Sequence, residues 1–251
     1  MATFVDVDDI RLVGGAAILD LANTQSGPPG GSPDIESLGA FDDVIRWAER
    51  ADALDPDAAR RLARVAARRP AEARAAFERT MALRRDAYDV FSALATGRQP
   101  PAAELARLRE AATEALMHAA VADADGTFAL RWAATDDPNR AWWPVAYAGL
   151  ELLLHGPLDR IKGCGGCRYL FLDETKNRSR RWCSMNDCGT REKMRTYVAR
   201  RAARRRAPGR PSVPALDSSS KSSPSSAETD KVTEQLALTK SLSKDTTDAR
   251  G

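Results

Sequence analysis

The chain has 251 residues, 43% of them hydrophobic, enough for one medium domain with a real core plus a smaller module. No apolar run reaches the roughly eighteen residues of a transmembrane helix, and the acidic start MATFVDVDDIRLVGG lacks the order of a signal peptide, so the expected compartment is the cytoplasm. The net charge of +3 averages two unlike parts: positions 160–210 hold sixteen Lys/Arg against four Asp/Glu, while the remainder holds 22 against 31.

Gly14-Gly15 punctuate the first stretch, a short strand or turn that leads into a helical segment from Ala16 to Asn23. SGPPGGSPD (26–34) has the composition of a loop. Asp34 is placed as the cap of the next helix, FDDVIRWAERA, with Phe41, Val44, Ile45 and Ala48 on one side. Asp55 and Pro56 supply the cap and first-turn chemistry for a helix through Leu62, Val65 and Ala66. Pro70 then opens a longer one, with Phe77, Met81, Leu83, Tyr88, Phe91 and Leu94 as its apolar side and Gly97 as its stop. Leu105, Leu108, Ala112 and Leu116 mark the buried face of a fourth. Phe128, Leu130 and Trp132 alternate behind an Asp125-Gly126 turn, the pattern of a strand in a hairpin. The segment DDPNRAWWPVAYAGLELLLHG is helical again, capped by Asp137 and stopped by Gly156, and its dense leucines predict burial. After Ala207 the chain is rich in Ser and Pro and has no aromatic residue, a composition that predicts disorder.

All four cysteines fall inside the basic segment. Cys164 and Cys167 form a Cys-x2-Cys knuckle whose intervening Gly165 and Gly166 relieve crowding. Fifteen residues separate it from Cys183, and four more separate Cys183 from Cys188. In a cytosolic chain, two such pairs point to metal rather than to disulfides. Four thiolates set tetrahedrally suit one structural Zn²⁺ with no open coordination position. Iron in a four-thiolate site, redox thiols and a disulfide pair are the alternatives. Tyr169, Phe171 and Trp182 are expected to pack over the metal as a small core.

Behind Cys188, TREKMRTYVARRAARRR reads as a helix with Met194, Tyr197, Val198 and Ala202 on one face and cations elsewhere. A solvated basic face is the plain reading of any one such helix. An excess of twelve charges over about fifty residues favours an anionic partner instead, and nucleic acid is the first candidate. Arg178, Arg180, Arg181, Arg191, Lys193 and Arg195 are the candidate phosphate contacts. The rival partner is an acidic protein surface, including the chain's own N-terminal part.

These residues resemble the CGNR zinc-finger family. The shared pattern is a Cys-x2-Cys knuckle, Asp173 before the basic run 177–181, Trp182-Cys183-Ser184-Met185, and Cys188-Gly189-Thr190-Arg191 ahead of a basic helix. Thr190 stands where the family has Asn and is expected to cap that helix. The stretch GGAAILDLANT, Gly14 to Thr24, resembles the opening of the ABATE domain that precedes this finger in bacterial proteins. The resemblance implies a stress-induced transcription regulator whose finger binds DNA.

Asp20, Asn23 and Thr24 are polar residues in an apolar stretch. They serve either as partners for buried backbone groups at a helix end or as the anchors of a small ligand pocket. His118 and His155 are packed or surface residues rather than ligands, because four cysteines complete a tetrahedral site. No catalytic motif is present, so an enzyme is the minority reading.

The fold expected is mainly α with a small β element (α+β). It comprises a helical domain over 1–157, a treble-clef-like or ribbon-like four-cysteine zinc finger with its basic helix over 158–206, and a disordered tail over 207–251. The expected function is that of a zinc-dependent DNA-binding regulator, with an N-terminal domain that senses a small-molecule effector or forms a homodimer, and no membrane partner. The alternatives are a protein-interaction finger, an RNA binder, and an N-terminal ligand-binding or enzymatic domain.

Overall fold

A computed structural model of the chain describes residues 2–206; the tail 207–251, expected to be disordered, lies outside the described residues. Three short strands, β1 (Thr3–Phe4), β2 (Gln25–Ser26) and β3 (Ile35–Glu36), join the ends of the loops around the first helix, α1 (Ala17–Ala22). β3 lies between the other two, parallel to β1 and antiparallel to β2.

Helix α2 (Phe41–Arg50) starts without the cap expected for it. Asp34 lies one strand upstream, where its carbonyl accepts from Thr3 N. Asp43, inside the first turn, reaches back instead, and its Oδ2 accepts from Gly39 N at 2.8 Å and Ala40 N at 3.0 Å. That is the reach-back half of a capping box, and it leaves no work for a residue outside the helix. Helix α3 (Pro56–Arg68) starts as expected, with Asp55 Oδ1 accepting from Ala58 N at 2.8 Å and proline in the first turn.

Helix α4 (Pro70–Ala95) is the axis of the fold, and α1, α2, α3 and α5 (Ala102–Leu116) all pack on it. It ends at Gly97, whose φ of +68° is the left-handed conformation that stops a helix without strain. A hairpin follows, β4 (Ala119–Ala124) and β5 (Thr127–Trp132). Its two-residue turn has Asp125 at φ +51° and Gly126 at +84°, the primed-turn chemistry that matches strand twist. Helix α6 (Trp143–His155) packs against α5 and α1, and its Trp143 ring stacks flat on His118 at 3.9 Å.

The core centres on Ile18, Leu19, Leu21, Val44, Trp47, Leu62, Phe91, Leu108 and Trp143, all essentially inaccessible. Each aliphatic side chain withdrawn this fully contributes about 1.5–3 kcal/mol. The leucine-rich end of α6 departs from the expectation of burial. Leu152 is buried, but Leu154 is 64% exposed, because the helix is covered from one side only. Leu105 and Leu116 sit at the edge of the α5 face for the same reason.

The cysteine-bearing part adds a second hairpin, β6 (Ile161–Gly163) and β7 (Leu170–Leu172), and a final helix, α7 (Thr190–Arg206). Ile161, Leu170 and Leu172 belong to the same apolar core as α1 and α4. Residues up to Arg206 therefore cluster as one compact unit.

Candidate metal centre

Pairing of β6 with β7 brings Gly163 opposite Leu170 and throws the knuckle Cys164–Cys167 into the connection between them. Cys164 N donates to Tyr169 O at 2.8 Å, which closes that turn. The second pair comes from the loop ahead of α7. Cys183 enters beside the knuckle, and a single π-helical turn, Met185–Gly189, aims Cys188 inward.

The four Sγ atoms lie within 4.8 Å of one another, and all four residues are buried. Cys183 Sγ is 3.6 Å from Cys167 Sγ and 3.7 Å from Cys188 Sγ. A tetrahedron with Zn–S bonds of about 2.3 Å has edges of about 3.8 Å, so the spacing fits one zinc ion. The surroundings suit thiolates too. Gly166 N and Cys183 N both point at Cys164 Sγ, at 3.4 and 3.2 Å, and the Arg191 guanidinium donates to Cys188 Sγ at 3.0 Å. A Cβ at Gly166 would lie 2.9 Å from Cys188 Cβ, so only glycine lets the two pairs close. With four protein sulfurs the ion has no position for water, and its role is structural. Phe171 is fully buried against the cysteines, with Tyr169, Trp182 and Val13 beside it, as the small core expected.

The geometry agrees with two family matches. The sequence model for the CGNR zinc finger matches residues 160–201, and one for ABATE, described as "Putative stress-induced transcription regulator", matches residues 15–156. The chain belongs to the ABATE family. Its finger is of the CGNR type, and no curated protein matches the chain.

The junction between the ABATE match and the finger is made by the residues singled out as a possible ligand pocket. Asn23 Nδ2 donates to Leu170 O and its Oδ1 accepts from Leu170 N, both at 2.8 Å. Asp20 Oδ1 accepts from Gly14 N at 2.7 Å, and Gly14 O in turn accepts from Leu172 N. Burial pushes the Asp20 carboxyl above its ordinary range, against the N–H groups of Gly14 and Val13. Thr24 Oγ1 donates to Leu21 O and accepts from buried Arg84, which also forms a bidentate pair with Glu36 at 2.6 and 2.7 Å. The chain itself thus occupies the polar atoms that a ligand at these three residues would meet.

The six candidate phosphate contacts part company. Arg180, expected to face solvent, is clamped inside. Its guanidinium donates to the carbonyls of Val13, Leu172, Trp182 and Cys183 at 2.6–3.2 Å and lies 4.2 Å from the Phe171 ring centroid. Arg191 is turned to the Cys188 sulfur, Arg178 pairs with Asp159, and Arg195 pairs with Glu192 at 2.6 Å. Arg181 and Lys193 are exposed, and no acid lies within ion-pair reach of either among the described residues.

Thr190 does not cap α7. Its hydroxyl donates to Met185 O at 2.9 Å, because the π-helical turn runs straight into the helix and leaves no end there. Two contributors have roles that the sequence did not assign. Asp173, with no exposed surface, accepts from Lys162 Nζ at 2.6 Å, Thr175 N at 3.0 Å and Arg180 N at 3.0 Å. Burial opposes its ionisation, but these donors outweigh it and hold the carboxyl far below the ordinary range. Arg168 stacks 3.8 Å over the Tyr88 ring of α4 and ties the knuckle to that helix. Neither partnership was visible in sequence, because the partners meet only after folding.

Proposed function

We propose that the protein is a DNA-binding transcription regulator of the cytoplasm in which zinc holds α7 as the nucleic-acid element. The observation that carries this reading is the exposed cationic side of the finger. Arg181, Lys193, Arg200 and Arg201 are all exposed, on or beside one helix that starts two residues after the metal ligand Cys188. Helices so charged repel themselves unless an anion is near, and a row of phosphates supplies it. Family membership supports a role in transcription.

The functional division proposed is an ABATE part over 1–157 and a finger over 158–206, which the family matches over 15–156 and 160–201 support. It is a division of labour within one packed unit. Dimerisation through the ABATE part is favoured by the β4–β5 hairpin and the end of α5 beside it, where Val121, Phe128 and Met117 are 69–80% exposed. Sensing has weaker support: the cleft between the N-terminal segment and the finger, walled by Ile10, Val13, Ile35 and Tyr169, is also lined by Cys167, Cys183 and Cys188 and so belongs in part to the metal site.

The test is fluorescence anisotropy of full-length, zinc-loaded protein on labelled duplex DNA across a salt series. Affinity should fall linearly on a log–log plot, with a slope of about −0.9 for each phosphate contacted. A flat response, or no binding at low salt, overturns the proposal. Retention of a protein partner after nuclease treatment, with no DNA bound, would favour an interaction finger in its place.

A further inference from the structure

Seven residues of the finger line a groove that duplex binding does not require. Lys193, Thr196, Tyr197 and Arg200 recur at three- and four-residue spacing and so share one face of α7, and Trp182 closes the groove at its base. Its volume is about 290 Å³, the scale of a single flat ring with its sugar and far below that of a helix or a duplex edge.

The two aromatics are presented differently from one another. Tyr197 is 58% exposed and its hydroxyl makes no hydrogen bond among the described residues. Trp182 is half-buried at the edge of the small core over the cysteines. A Cβ at Gly165 would lie 2.8 Å from its ring and one at Gly189 3.3 Å, and the Arg181 guanidinium lies 5.4 Å from its centroid. The metal knuckle therefore holds the indole in place. Lys193 and Arg200 flank the groove without an acidic partner among the described residues, and the groove's one carboxylate, Glu192, is neutralised by Arg195.

Aromatic faces between unpaired cations are the requirements of a stacked nucleobase with its neighbouring phosphates. A paired base inside a duplex hides both of its faces in the stack, so only an unpaired base can use this groove. We propose that the groove receives one unpaired nucleobase against Tyr197 and Trp182, with the adjoining phosphates on Lys193 and Arg200, so that the protein prefers single-stranded or opened DNA. This rests on the reading of the finger as a nucleic-acid module, and it adds the form of the polynucleotide.

The experiment compares full-length, zinc-loaded protein on an oligothymidylate and on a duplex of equal length, at one salt concentration. Wild type should bind the single strand more tightly. Tyr197→Ala should weaken single-strand binding between about fivefold and about a hundredfold, the range one stacked base supplies, and leave duplex binding within about twofold. Tyr197→Phe, which keeps the ring, should behave as wild type. Zinc content and circular dichroism control for folding, and Tyr197 is too exposed to carry the core. Equal losses on both polynucleotides, or a weaker single strand in the wild type, overturn the groove but not the reading of the finger as a nucleic-acid module. Binding to neither polynucleotide overturns the nucleic-acid reading and the groove with it.

Discussion

Asn23 behaves towards Leu170 as a neighbouring strand would: one carboxamide satisfies both main-chain groups of a residue 147 positions away, in a buried setting. Leu170 opens β7, which forms one arm of the metal knuckle. The last turn of the ABATE helix α1 is thereby fastened to the zinc site. Asn23→Ala would leave a buried N–H and a buried carbonyl unpaired, at a cost of about 2–4 kcal/mol. The expected outcome is a lower urea midpoint together with faster zinc loss to a chelator. An unchanged release rate would mean that the two parts are not joined through this residue.

Metal removal should be felt well beyond the finger. Elemental analysis of pure protein is expected to give one zinc per chain. Ile161, Leu170 and Leu172 share the core of α1 and α4. Chelation should therefore raise amide hydrogen exchange in α1 and α4 as well as in β6 and β7. Exchange confined to 160–190 would show that the finger opens alone.

The Arg84–Glu36 pair ties β3 to α4. Burial works to raise the Glu36 carboxyl, but Arg84 outweighs it, with help from the Leu38 and Ser37 N–H groups, and holds it below the ordinary glutamate value. Because the folded pKa is depressed, the stability it supplies is complete above about pH 4.3 and is lost as pH falls through the folded value. Glu36→Gln strands a buried guanidinium and should cost about 3 kcal/mol at pH 7. In paired denaturation curves the gap between wild type and variant should narrow below about pH 4. A constant gap down to pH 3 would count against the ion pair as its source.

Arg180 and Lys193 should separate structure from contact. Arg180→Lys keeps the charge but not the fork that reaches four carbonyls, and should destabilise the protein by about 2–3 kcal/mol. Lys193→Ala should leave the melting temperature unchanged and make the salt slope of DNA binding shallower by about 0.9. If Arg180→Lys melted like wild type and bound DNA poorly, Arg180 would return to the list of phosphate contacts.

Much of the fold was legible in residue order. Asp55-Pro56 and Gly97 delimit helices by chemistry confined to one turn, and Asp125-Gly126 demands one kind of hairpin turn. The metal site was legible for the same reason, since a Cys-x2-Cys knuckle brings two sulfurs to one ion without help from the rest of the chain. Asp34 failed as a cap because Asp43 was nearer in space, and Leu154 failed as core because α6 is covered on one side only.

Which polar residues hold the molecule together and which face outward was decided by tertiary structure alone. Asn23, Asp173 and Arg180 stand out in the sequence, but their partners do not, and those partners lie up to 167 residues away. Arg180 and Arg181 are adjacent and identical in sequence, yet one is spent on four carbonyls and the other is exposed. Local spacing encodes what the backbone can do by itself, namely turn, cap, coil and chelate. A buried donor or acceptor takes whatever group the folded chain brings to it, and that choice exists only once distant segments have packed.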